Sequence, residues 1–95
     1  MLYALICTDK AKSVDLRMSV RPDHVAFLQG LGDTLKAAGP FLNDEGSPIG
    51  SLVVIEAGTK QEAEAIAVED PYAKAGLFET VEITQWNWIL KNPEG

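Results

Sequence analysis

Four short apolar runs divide this chain, and the first and third are each followed by a stretch of helical periodicity, an order that few folds can accommodate. The first run, Leu2-Tyr3-Ala4-Leu5-Ile6-Cys7, is too short for a buried helix and suits a strand. Arg21-Pro22-Asp23 is expected to open a helix, since proline lacks only a donor that the first turn leaves unpaired and Asp23 complements the dipole. Val25, Leu28, Leu31, Leu35 and Ala38 then recur at steps of three or four along one apolar stripe, and Gly39-Pro40 ends it. Gly30 and Gly32 fall inside this span, each at a cost of about 1 kcal/mol against alanine.

Pro40-Phe41-Leu42 reads as a second strand, residues 43–48 as a turn by composition, and Ile49 to Ala57 as a central strand closing a hairpin. Thr59-Lys60-Gln61-Glu62 has the pattern of a capping box. The helix it starts buries Ala63, Ile66 and Ala67 and ends at Asp70-Pro71, because a residue before proline avoids helical geometry. Tyr72 to Phe78 forms a loop or single turn, and Thr80 to Leu90 a last strand. The order is βαββαβ, a ferredoxin-like α+β fold: a four-stranded antiparallel sheet with two helices on one face. The whole chain, 1–95, reads as one domain, with residues 91–95 as a flexible tail.

The last strand sends Val81 and Ile83 to one side and Thr84, Trp86, Trp88 and Leu90 to the other. Two helices cover one face only. An exposed patch of that size is a liability for a monomer, so a homodimer is expected, formed through the uncovered face.

Composition narrows the function classes. The net charge is −6, from 14 acidic and 8 basic residues with no dense basic run. Nucleic-acid binding rests on phosphate neutralisation by Lys and Arg, and this balance argues against it. No run approaches the roughly 20 apolar residues of a membrane span, and no basic n-region precedes an apolar stretch as in a signal peptide. Cys7, the single cysteine, sits in an apolar run as a small buried hydrophobe. A cytoplasmic protein without membrane contact is expected.

The single histidine excludes a multi-histidine metal site, no ligand-spaced cluster supports a mixed one, and no phosphate-cradling glycine motif is present. No metal or cofactor is expected. His24 falls in the first turn of the expected helix, where the positive end of the dipole would favour a neutral ring; an ordinary half-buried helix-start histidine has the same signature. Asp70 falls at the C-terminal end of the second helix, where the dipole disfavours a carboxylate. A broken local rule marks candidate functional positions, although an Asx-type turn before Pro71 explains it equally well. The topology allows a His24–Asp70 contact without forcing one.

Arg21-Pro22-Asp23-His24, Gly39-Pro40, Ile49-Gly50-Ser51 and, above all, Asp70-Pro71-Tyr72-Ala73-Lys74-Ala75-Gly76-Leu77-Phe78 resemble the YCII-related (YciI-like) family, over residues 2 to about 90. The resemblance implies a dimeric α+β barrel, similar in fold to muconolactone isomerase and to small monooxygenases. It also implies a His–Asp pair at His24 and Asp70, proposed as catalytic in family members, one of which acts as a dechlorinase on a chlorinated trihydroxybenzene.

A carboxylate on one imidazole nitrogen fixes the tautomer and frees the other nitrogen to move a proton. Ser51 is expected to hydrogen-bond a ligand. Arg17 or Arg21 suits an anionic ligand, since guanidinium matches a carboxylate bidentately. Tyr72 and Phe78 are expected to line the pocket. Two readings follow. One is an enzyme performing isomerisation, lactone hydrolysis or dehalogenation on a small cyclic or aromatic anion. The other is a non-catalytic ligand-binding or accessory module.

Overall fold

A computed structural model of the chain describes residues 1–94. Its elements are β1 (Leu2–Asp9), α1 (Val14–Gly30), a 3-10 turn (Gly32–Thr34), β2 (Leu35–Leu42), β3 (Pro48–Glu56), α2 (Lys60–Ala67), α3 (Pro71–Lys74) and β4 (Phe78–Trp86). The strands form one antiparallel sheet in the order β2-β3-β1-β4. This is the expected ferredoxin-like α+β fold.

Period-two alternation decides what each face of the sheet carries. Tyr3, Leu5 and Cys7 of β1 pair across to Ile55, Val53 and Ser51 of β3. They pack with Leu28, Ala57 and Ala63 into the core under the helices. Burying each large side chain there contributes about 1.5–3 kcal/mol. Asp9 continues the same face, so a carboxylate enters the helix layer at the end of an apolar row.

Helix α1 begins eight residues before the expected proline start, and Pro22 lies inside it. An interior proline removes one hydrogen bond and costs about 3 kcal/mol. Here Pro22 is exposed, so the freed carbonyl lies on the wet side, where helices already bend. The buried stripe Arg17, His24 and Leu28 keeps the helix seated. The helix also ends earlier than expected. Gly32 has φ +58°, a left-handed backbone that glycine adopts without strain and that stops a helix. Leu35 and Ala38 therefore belong to strand β2, opposite Ile55 and Val53, and not to a helical stripe.

The hairpin forms as expected. Asn43 Oδ1 accepts from the backbone N–H of Glu45 and Ser47 at 2.9 and 3.0 Å, and Gly46 supplies a positive φ. Thr59 caps α2 by accepting from Glu62 N–H at 3.1 Å, while the Glu62 carboxylate reaches back to Gly58 N–H at 2.8 Å.

Strand β4 stops at Trp86, so Trp88 and Leu90 leave the sheet. Val81 and Ile83 face the helices with Cys7 and Leu5, whereas Thr84 and Trp86 pair with Ala4 and Leu2 on the opposite face. On that face Ile6, Phe41 and Trp86 stay 36%, 41% and 42% exposed. In the tail, Glu94 bonds Lys36 Nζ at 2.8 Å; Gly95 lies outside the described residues. Among the described residues no helix is long and apolar enough to cross a membrane.

Candidate functional site

Helix α2 ends at Ala67, three residues before Asp70. Asp70 instead caps the next helix. Its Oδ1 accepts from Tyr72 N–H at 2.9 Å, and Pro71 occupies the first turn of α3. The expectation that Asp70 opposes a helix dipole is corrected: its carboxylate sits at the favourable end of a short helix. The Asx-type turn and the contact with histidine occur together.

His24 is ten residues into α1, so the helix-start argument for its ring does not apply. Its Nδ1 lies 2.8 and 3.0 Å from the two carboxylate oxygens of Asp70, with both residues buried. A carboxylate accepts, so Nδ1 carries the hydrogen, and in the neutral ring Nε2 then holds the lone pair. Nε2 has no hydrogen-bond partner among the described residues. The imidazole also stacks on Tyr72, with centroids 3.8 Å apart.

One turn before Arg21 in α1, Arg17 reaches into the same layer. Its Nη1 donates to both oxygens of Asp9 at 3.0 and 2.8 Å, its Nη2 to Ser51 Oγ at 2.6 Å, and its guanidinium lies 4.7 Å from the Tyr72 ring centre. Two buried acid–base pairs, Asp9–Arg17 and Asp70–His24, thus flank one tyrosine.

These groups border a cavity of about 340 Å³ between α1 and the β2–β3 edge, near the small end of the range for small-molecule sites. Arg17, Arg21, His24, Ser51 and Tyr72 line it, with Asp70 behind His24. Exposed Met18 and Leu42 form part of its wall. Phe78 lies elsewhere: it packs against the core and meets Tyr72 edge-on at 5.9 Å. Asp9 was missed at the sequence level, although the alternation Tyr3, Leu5, Cys7 extends to it. Burial pushes the Cys7 thiol up to about 12, with Asp70 and Asp9 adding to the shift, so it is not a nucleophile. Burial likewise raises the Tyr72 hydroxyl above its ordinary 10.0 and keeps it protonated. Among the described residues no group of three or more His, Cys, Asp or Glu side chains is placed to hold a metal ion.

The fold and this site define a ferredoxin-like α+β protein with a histidine–carboxylate pair beside a small cavity. The chain belongs to the YCII-related domain family, whose model matches residues 1–87. It is 43% identical over 98 residues to Protein YciI of Escherichia coli O6:H1, covering 95% of this chain and 100% of that protein. In structure it is similar to the 5-chloro-2-hydroxyhydroquinone dehydrochlorinase TftG of Burkholderia phenoliruptrix, in complex with 2,5-dihydroxybenzoquinone. The TM-score is 0.84 at 28% identity over 92% of this chain and 94% of that one. An antibiotic biosynthesis monooxygenase shares the fold at a TM-score of 0.57 and 9% identity, with 94% and 99% of the chains covered.

Proposed function

We propose that this protein is an acid/base enzyme acting on a small cyclic or aromatic anion, with His24 as the proton carrier and Asp70 as its orienting carboxylate. One observation carries the reading: a buried 2.8 Å bond fixes one imidazole nitrogen while the residue borders a cavity. Among isomerisation, lactone hydrolysis and dehalogenation, the likeness to a dehydrochlorinase supports dehalogenation as the first reaction to try. Arg21 is the guanidinium for an anionic ligand, because Arg17 is already neutralised by Asp9. The working form is a cytoplasmic homodimer joined through the face that carries Ile6, Phe41 and Trp86, and sedimentation as a monomer at micromolar concentration would refute that form.

The test is chloride release from 5-chloro-2-hydroxyhydroquinone, followed by a panel of lactones and cyclic enols read by proton exchange. His24→Ala should slow whichever reaction the wild type performs by about 10²- to 10⁴-fold. A second reading, a non-catalytic ligand-binding module, draws on the exposed Met18 and Leu42 at the cavity wall, which leave room for a cover from outside the chain. It prevails if ligands bind the wild type and His24→Ala alike and neither turns them over.

A further inference from the structure

The Asp9–Arg17–Ser51 chain has a direction. Guanidinium nitrogens only donate, so at 2.6 Å the Ser51 oxygen is the acceptor. A hydroxyl that accepts retains one O–H to give, and no acceptor among the described residues takes it. Ser51 is 2% exposed and borders the cavity, so its hydrogen is left for whatever fills that space. Rotation of the hydroxyl cannot make Ser51 a donor to Arg17, because a guanidinium accepts nothing. Arg17 is itself held by both oxygens of Asp9 and by the Tyr72 ring. A hydroxyl that already accepts from a guanidinium N–H is polarised by that bond and donates more strongly.

We propose that Ser51 is the hydrogen-bond donor to an oxyanion that forms when His24 removes a proton, and that Arg17 and Asp9 are positioning residues for it. This inference rests on the acid/base reading and gives it a substrate class: an enolisable carbonyl compound or a phenol. In the carbonyl case, His24 Nε2 takes the proton from the carbon beside C=O. The C–H electron pair becomes the C=C bond, the carbonyl π pair moves onto oxygen, and that oxygen accepts from Ser51 O–H. The imidazolium formed is paired with Asp70. Returning its proton to a different carbon completes an isomerisation without any further reactant. Tyr72 is a second hydroxyl of the same wall without a hydrogen-bond partner among the described residues, and the Asp9–Arg17 pair adds no net charge, so the site favours an oxyanion through donors.

The probe is 4-nitrophenol, whose phenol and phenolate absorb differently and so report ionisation in the bound state. Wild-type protein should bind the phenolate in preference and lower the apparent pKa of the bound probe. Ser51→Ala should weaken phenolate binding about 10- to 100-fold, the range for a hydrogen bond to a charged group, and return the bound pKa toward its value in water. Ser51→Thr keeps the hydroxyl and should restore both. Arg17→Lys should raise the bound pKa in the wild-type background and change nothing further in Ser51→Ala, a coupling that a merely structural arginine would not show. A wild type that leaves the probe unbound or its ionisation unchanged overturns the inference. So does a Ser51→Ala protein matching wild type; if His24→Ala still abolishes turnover, the acid/base reading then survives alone. If Ser51→Ala releases the phenolate while His24→Ala leaves turnover intact, the oxyanion donor stands and the role of His24 falls.

Discussion

The imidazole of His24 lies flat against the phenol ring of Tyr72, with centroids 3.8 Å apart and planes 15° from parallel. Asp70 Oδ1 is shared by the His24 Nδ1 and by the backbone N–H of Tyr72, at 2.8 and 2.9 Å. One oxygen therefore places both rings. A displacement of α3 would therefore take the stacking partner and the orienting carboxylate of His24 away together.

That stack predicts a contrast at Tyr72. Tyr72→Phe retains the ring and the backbone N–H bond to Asp70, so thermal unfolding should stay near wild type. Tyr72→Ala empties a site that is 1% exposed and should cost about 3–5 kcal/mol. Urea midpoints of the two variants check this, and equal midpoints would remove the ring from the structural account.

Asp70→Asn separates the two duties of the carboxylate. The amide oxygen can keep the Oδ1 position and Tyr72 N–H, while its NH₂ takes the Oδ2 position 3.0 Å from His24 Nδ1 and favours the tautomer with the hydrogen on Nε2. Turnover should fall by orders of magnitude, as for other lost orienting carboxylates, with little change in stability. Asp70→Ala also loses the cap and should cost about 1 kcal/mol more. The comparison of rate against urea midpoint is the measurement.

Arg17→Met strands the Asp9 carboxylate, whose side chain is 5% exposed. Breaking a buried pair from one side costs about 3–5 kcal/mol. Adding Asp9→Leu to Arg17→Met should recover much of that stability, because no lone charge remains inside. Differential scanning calorimetry of the single and double variants reads the recovery, which an exposed, independent arginine would not produce.

Cys7 predicts a pH effect of definite sign. Burial pushes the thiol up from its ordinary 9.0 to about 12, so above pH 9 the unfolded chain releases a proton that the native protein keeps. Stability from this group is fully present below pH 9 and declines between pH 9 and about 12, at roughly 1.4 kcal/mol per pH unit. Iodoacetamide at pH 8 should label Cys7 only after denaturation, and rapid labelling of native protein would contradict its burial.

Strand, hairpin and cap were legible because each depends on a few adjacent residues: the alternation in β1, the Asn43–Ser47 turn, and Thr59 with Glu62. The limits of α1 were not. Pro22 is a helix starter by local rule, but seating Arg17 and His24 against the sheet carries the helix through it. Gly30 and Gly32 looked like interior costs because the leucines beyond them kept helical spacing; the left-handed backbone at Gly32 makes them a stop. The error at Asp70 had the same origin. Apolar spacing alone carries α2 up to Pro71, so a cap for α3 has the signature of a misplaced helix end. Five cavity residues came from the resemblance and from residue type, whereas Asp9 needed only the strand period carried two residues further.

Asp70 has a consequence for how sites like this one change over generations. A copy of the gene released from chemistry would still be selected to keep Asp70-Pro71, since the carboxylate anchors the turn that carries Tyr72. Among the described residues His24 makes no side-chain hydrogen bond to the backbone. Drift that kept a polar partner for the buried Asp70 could change His24 sooner than the turn, and a chain with the Asp-Pro turn intact and another residue in place of His24 would keep this local fold without the proposed proton carrier.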